Sequence, residues 1–68
     1  MNHRVEIGQV YEDTDPRMKG RRIRIVWKMY GGAYVQAENV ATGRLTYIAT
    51  HRLRPTSGKR GYRLVGAR

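Results

Sequence analysis

The residues able to do covalent chemistry are few. Ser57 is the only serine, and His3 and His51 are the only histidines. A hydrolytic triad would need Ser57, one imidazole and a carboxylate from Glu6, Glu12, Asp13, Asp15 or Glu38 to converge. Nothing in their spacing brings them together, so no catalytic residue is assigned and the chain is read as a non-enzyme. There is no cysteine, and the histidines lack the i, i+4 spacing of a metal pair. Asp13 and Asp15 open like a calcium loop, but Met18 stands where its glycine belongs and Arg24 where its bidentate glutamate belongs. Gly58-Lys59 resembles the end of a phosphate-binding loop, but Leu53 replaces the first glycine and Arg60 the hydroxyl residue. No metal and no cofactor are expected.

What remains is guanidinium chemistry. The 68 residues carry 14 Lys and Arg against 5 Asp and Glu, a net charge of +9. Arginine supplies most of the positive charge, and its planar fork suits phosphate contacts and stacking. The charge is segregated. Residues 1–16 hold Arg4 against Glu6, Glu12, Asp13 and Asp15, whereas residues 17–68 set thirteen cations against Glu38 alone. Such a surface gains from a polyanion. Nucleic acid, DNA or RNA, is the expected partner, and a protein partner is the alternative. No apolar run approaches the ~20 residues of a membrane span, and residues 1–9 lack the apolar stretch of a signal peptide. With no cysteine to oxidise, a cytoplasmic location is expected.

The elements that must carry these side chains read as strands. Glycines at 8, 20, 31, 32, 43, 58, 61 and 66 leave little room for a helix. Residues 8–12 form a first strand, and residues 13–20 a long loop begun by Asx and Pro turn formers. The clearest strand is residues 21–29, where Ile23, Ile25, Trp27 and Met29 alternate with Arg22, Arg24, Val26 and Lys28. On that pattern Trp27 is assigned to the core rather than to a ligand platform. Gly31-Gly32 turns the chain into residues 33–40, with Ala33, Val35 and Ala37 on one face and Tyr34, Gln36 and Glu38 on the other. Thr42-Gly43 turns it again into residues 44–49. Within residues 50–55 a single 3₁₀ turn carries Leu53 inward, residues 56–61 are a loop, and residues 62–65 a last strand.

One domain spans residues 1–68, with its core over about 7–65. Five antiparallel strands of this size bury an apolar face and lose their edges by closing into a small barrel. A long first loop, two hairpins and a 3₁₀ turn (here Leu53-Arg54-Pro55) before the final strand resemble the SH3-like barrels of KOW and Tudor type. That resemblance implies an all-β, five-stranded SH3-like barrel. A second likeness rests on Gly8-Gln9-Val10-Tyr11, Asp13 to Arg17, Gly20-Arg21, Arg52 to Thr56 and Gly61 to Val65. On these segments the chain resembles short proteins of actinobacteria and their phages. It implies the fold and a bacterial-cell setting, and carries no activity with it.

In such a barrel, Arg22, Arg24 and Lys28 would share the outer face with Tyr34, and Arg44 would join them beyond the next turn. Arg17, Lys19 and Arg21 would stand at the loop end. Arg52, Arg54, Lys59 and Arg60, with Arg63, make a second cluster near the C-terminus. Tyr30 beside the glycine pair is the aromatic expected to be exposed, while Tyr11, Tyr47 and Tyr62 are expected to pack. The implied mode is phosphate contact by arginine with a base stacked on Tyr34 and little reading of sequence. The alternative, docking on a protein, would draw on the acidic segment from Glu12 to Asp15.

Overall fold

A computed structural model of the chain describes residues 4–15, Arg17, 20–54 and 61–67, without the side chains of Arg54 and Ala67. The strands are β1 (Gln9–Asp13), β2 (Arg22–Lys28), β3 (Tyr34–Asn39), β4 (Leu45–Ala49), β5 (Leu53–Arg54) and β6 (Tyr62–Ala67). One 3₁₀ turn, Thr50–Arg52, connects β4 to β5. All six strands lie in a single sheet in the order β4-β3-β2-β1-β6-β5. The all-β expectation therefore stands, with one element added. Leu53 and Arg54, assigned from sequence to the 3₁₀ turn, leave it and run parallel to Tyr62 and Arg63. A two-residue strand has too little pattern to register in a sequence.

The two ends of the sheet, β4 and β5, are consecutive in the chain and meet at the 3₁₀ corner. Among the described residues no ladder joins them, so the sheet curls without the hydrogen-bonded closure of a barrel. Among the described residues β4 therefore pairs with one strand only, β3.

Alternation builds the core. Tyr11, Ile25, Val35 and Ala37 are fully buried, and Val5, Ile23, Ile48, Leu53 and Tyr62 pack around them. Tyr11 sits at the centre, opposite Ile23 on one side and Leu64 on the other. Its hydroxyl donates to Gln9 Oε1 at 2.8 Å. Leu53 points inward, as read from sequence, and is 4 % exposed.

Two ladders slip by one residue. In β2, Ile25 faces Ala37 but the next pair is Trp27 with Gln36, which leaves Val26 as an extra residue. In β6, Val65 is skipped between Leu64 and Gly66. Such bulges bend a strand and increase its twist, which is what a small sheet needs to wrap a core. The β2 bulge also exchanges faces. Beyond it Lys28 faces buried Val35, and Trp27 turns to the outside.

Asp13, Thr14, Asp15 and Arg17, after β1, are held by local bonds. Asp13 Oδ1 accepts from the Asp15 amide at 2.9 Å, and Asp15 Oδ1 from the Arg17 amide at 2.9 Å. Thr14 donates through its amide and its hydroxyl to Gly61 O, each at 3.0 Å.

Burial pushes the Tyr11 phenol up to about 12. The unfolded phenol ionises near 10, so stability from this site is complete below pH 10 and lost as pH rises through 10 to 12. A tyrosinate absorbance titration should show a late step near pH 12 accompanied by unfolding. Tyr11→Phe should remove that step. Gly61 supplies a second test. It has φ 103°, and a Cβ there would lie 2.7 Å from the Arg52 carbonyl oxygen. Gly61→Ala should cost more than ~1 kcal/mol in urea unfolding.

Candidate nucleic-acid interface

The sheet face turned away from the core is built by β2, β3 and β4. Trp27, Gln36 and Tyr47 form one register row across the three strands. Tyr34 and Ala49 form the next, and Met29 joins it by donating its amide to Tyr34 O at 3.0 Å. On the other side of the central row lie Arg24, Glu38 and Leu45. Arg22 follows two residues further along β2. The rings are open to solvent: Trp27 is 46 % exposed, Tyr34 48 % and Tyr47 64 %. Exposed Leu45 and Met29 extend the patch. A contiguous aromatic and apolar surface is the informative exception on a small domain, since single exposed apolar residues are ordinary.

Trp27 and Met29 were assigned to the core by alternation with Ile23 and Ile25. The bulge at Val26 shifts both by one face. For the same reason Lys28 leaves the outer face it was expected to share with Arg22 and Arg24. Its Nζ lies 3.6 Å from Glu6 Oε1. Tyr47, expected to pack, stands outside because its neighbour Ile48 takes the inward position opposite Val35. Tyr11 and Tyr62 are buried, and Tyr34 and Tyr30 are exposed, as expected.

Ion pairing divides the cations. Each of the five Asp and Glu side chains is paired. Glu6 meets Arg4 and Lys28, Glu12 meets Arg63, Asp13 meets Arg21, Asp15 meets Arg17, and Glu38 meets Arg24. Among the described residues, Arg22, Arg44 and Arg52 stand outside any ion pair. Lys19, Lys59 and Arg60 lie outside the described residues, as does the Arg54 side chain.

Arg44 and Arg52 were expected with the outer surface and the C-terminal cluster. They instead line one cleft of about 410 Å³, together with Arg21, Thr42, Asn39 and Tyr62. It opens on the core side of the sheet, beside Ile23 and Ile48. Tyr62 organises it. The Arg52 guanidinium carbon lies 5.6 Å from the Tyr62 ring centroid, within cation–π range. Arg21 Nη2 donates to the Tyr62 hydroxyl at 3.2 Å and to Asp13 Oδ2 at 2.8 Å. Desolvation opposes the Arg21 charge, but Tyr62 and Asp13 outweigh it and hold its pKa above the ordinary value. Arg21 Nε is buried without an acceptor. Arg21 is thus a structural strut, tied to its own domain on one side. Arg44 and Arg52 are the cleft's available cations, and Tyr47 on β4 borders both the cleft and the ring-bearing face.

No three His, Cys, Asp or Glu side chains gather as a metal set among the described residues. No helix among them is long and apolar enough to cross a membrane. Comparison with protein-family models, curated proteins and solved structures finds no match. Geometry and charge alone therefore bear on function.

Trp27 is the chain's single tryptophan, so its environment can be read directly. Its emission should be red-shifted and strongly quenched by acrylamide in the folded state. Unfolding should change that accessibility little. A core tryptophan would give blue-shifted, protected emission that unfolding exposes.

Proposed function

We propose that the protein is a small nucleic-acid-binding module that recognises its ligand by phosphate contact and ring stacking, with little sequence specificity. The observation that carries this reading is the coincidence of three exposed aromatic rings with unpaired arginines in a domain of net charge +9. Guanidinium groups supply the counterion-releasing contacts, and aromatic faces supply stacking that any base can accept. A module of this kind has no need of a groove-reading helix.

The strand arrangement supports an SH3-like relationship. The first strand lies between the second and the last, two hairpins follow, and a 3₁₀ turn precedes the return to β6. The open side between β4 and β5 is where such a sheet would close. In this reading the cleft there serves as part of the binding surface. A bacterial cytoplasm is the setting that the cysteine-free composition fits.

A protein-docking role draws less support. Such a role draws on the acidic segment from Glu12 to Asp15, whose carboxylates are engaged by Arg63, Arg21 and Arg17 within the domain.

The test is fluorescence anisotropy with labelled oligonucleotides across a salt series. Each phosphate contact on duplex DNA steepens the fall of log K with log salt by about 0.9, and on a single strand by about 0.7. The double variant Arg22→Gln/Arg44→Gln should bind more weakly, and its slope should be shallower by about 1 to 2. Unchanged affinity and slope would place the contacts elsewhere. Absence of binding even in low salt would remove the proposal.

A further inference from the structure

We infer that the ligand is an unpaired strand rather than a duplex, with bases laid on Trp27, Tyr34 and Tyr47 and phosphates carried over the β4 edge toward Arg44 and Arg52. The inference rests on the nucleic-acid reading and names the substrate class of that same surface.

Three observations lead to it. The first is the kind of chemistry the outer face offers. Trp27 and Tyr47 flank Gln36 on neighbouring strands, so they stand two strand spacings apart, about 9–10 Å. Tyr34 is the diagonal neighbour of Tyr47, at roughly 7–8 Å between backbone positions. Exposed rings at this spacing are the groups on which unstacked bases can lie. A duplex has its base faces already stacked internally and presents only edges and phosphates. The rings therefore gain from a ligand only if its bases are free to turn outward.

The second is the absence of a groove reader. Among the described residues the helical structure is all 3₁₀, the turn over Thr50–Arg52 and Arg17 in the first loop, and no α-helix occurs. The major groove admits a helix or a two-stranded ribbon. The β2–β3 tip, where Tyr30 is fully exposed beside Gly31 and Gly32, has no described cation to anchor it there.

The third is where the unpaired charge lies. Duplex binding would be served by a broad, uniformly basic face. On the ring-bearing face, Arg24 is matched by Glu38 at 3.8 Å, and Arg63 by Glu12 at 2.8 Å, which leaves Arg22 as its one unpaired described cation. The other unpaired cations among the described residues, Arg44 and Arg52, sit across β4 in the cleft. β4 ends the sheet, so a single flexible chain can cross it and meet rings on one side and guanidinium groups on the other. A rigid duplex cannot follow that turn, because its persistence length is about 150 base pairs.

The experiment compares a single-stranded oligonucleotide with a duplex of equal length, by anisotropy and by Trp27 fluorescence in the same titrations. The expected result is binding to the single strand at least tenfold tighter than to the duplex, with Trp27 quenched by the single strand only. Tyr47→Ala, an exposed substitution whose fold is checked by circular dichroism, should weaken single-strand binding by about 5- to 100-fold and leave duplex binding unchanged. Equal or tighter duplex binding, or single-strand binding that leaves Trp27 unquenched and ignores Tyr47→Ala, would overturn the inference while the nucleic-acid module stands. Failure to bind either ligand in low salt would overturn both.

Discussion

The extra residue at Val26 governs the arrangement of this protein. A strand has a side-chain period of two, so one inserted residue reassigns every position beyond it to the opposite face. Before the bulge, β2 delivers Ile23 and Ile25 to the core. After it, Trp27 and Met29 join Tyr34 and Tyr47 outside, and Lys28 turns to the inner side beside Glu6. Without the slip, the sheet would present a lysine where it now presents an indole. The core would also have to hold a tryptophan that a domain of 68 residues has little volume to enclose. The bulge therefore settles two matters together: how large the core must be, and what the outer face shows to solvent.

The carboxylates act on the same problem from the electrostatic side. Surface ion pairs of 3.6–3.8 Å, such as Glu6 with Arg4 and Lys28 or Glu38 with Arg24, contribute little stability. Their effect is to shape the field. Five acids quench six cations distributed over the segment before β1, the first loop, β2 and β6, and leave positive potential concentrated at Arg22, Arg44 and Arg52 among the described groups. The acidic N-terminal quarter is thus folded into the basic remainder, and the charge segregation visible along the chain is partly erased in space.

Much of the fold was legible in the sequence, because its signals are local. Alternation over Ile23 and Ile25 and over Val35 and Ala37 marked the core faces, and Gly31-Gly32 and Thr42-Gly43 marked the hairpins. The inward Leu53 and exposed Tyr30 followed from their neighbours. The bulge left no comparable mark. Ile23, Ile25, Trp27 and Met29 continue an unbroken alternation, and the extra residue is a valine, at home in any strand. The one available hint was the apolar run Ile25-Val26-Trp27, which leaves the phase ambiguous. The candidate site was half legible for the same reason. Arg22, Arg24 and Tyr34 precede or escape the slip, whereas Trp27, Lys28 and Met29 follow it. Arg4 with Glu6 and Arg17 with Asp15 are pairs of near neighbours, but Arg24 with Glu38 and Arg63 with Glu12 meet only across strands, and sequence proximity carries no trace of those.

Among the described residues β4 pairs along one side only, and this bears on how copies of the chain behave toward one another. A strand with free amides and carbonyls along one side is a template for a second such strand. In β4, Leu45, Thr46 and Tyr47 are all exposed, and no charged residue lies within Leu45–Ala49 to block an approach. Protection falls instead to like-charge repulsion between domains that each carry +9. That protection has a short range, and at molar salt it shrinks to about 3 Å. The molecule is dispersed by its field rather than by the shape of its edge, so concentrated salt removes the barrier between neighbouring sheets.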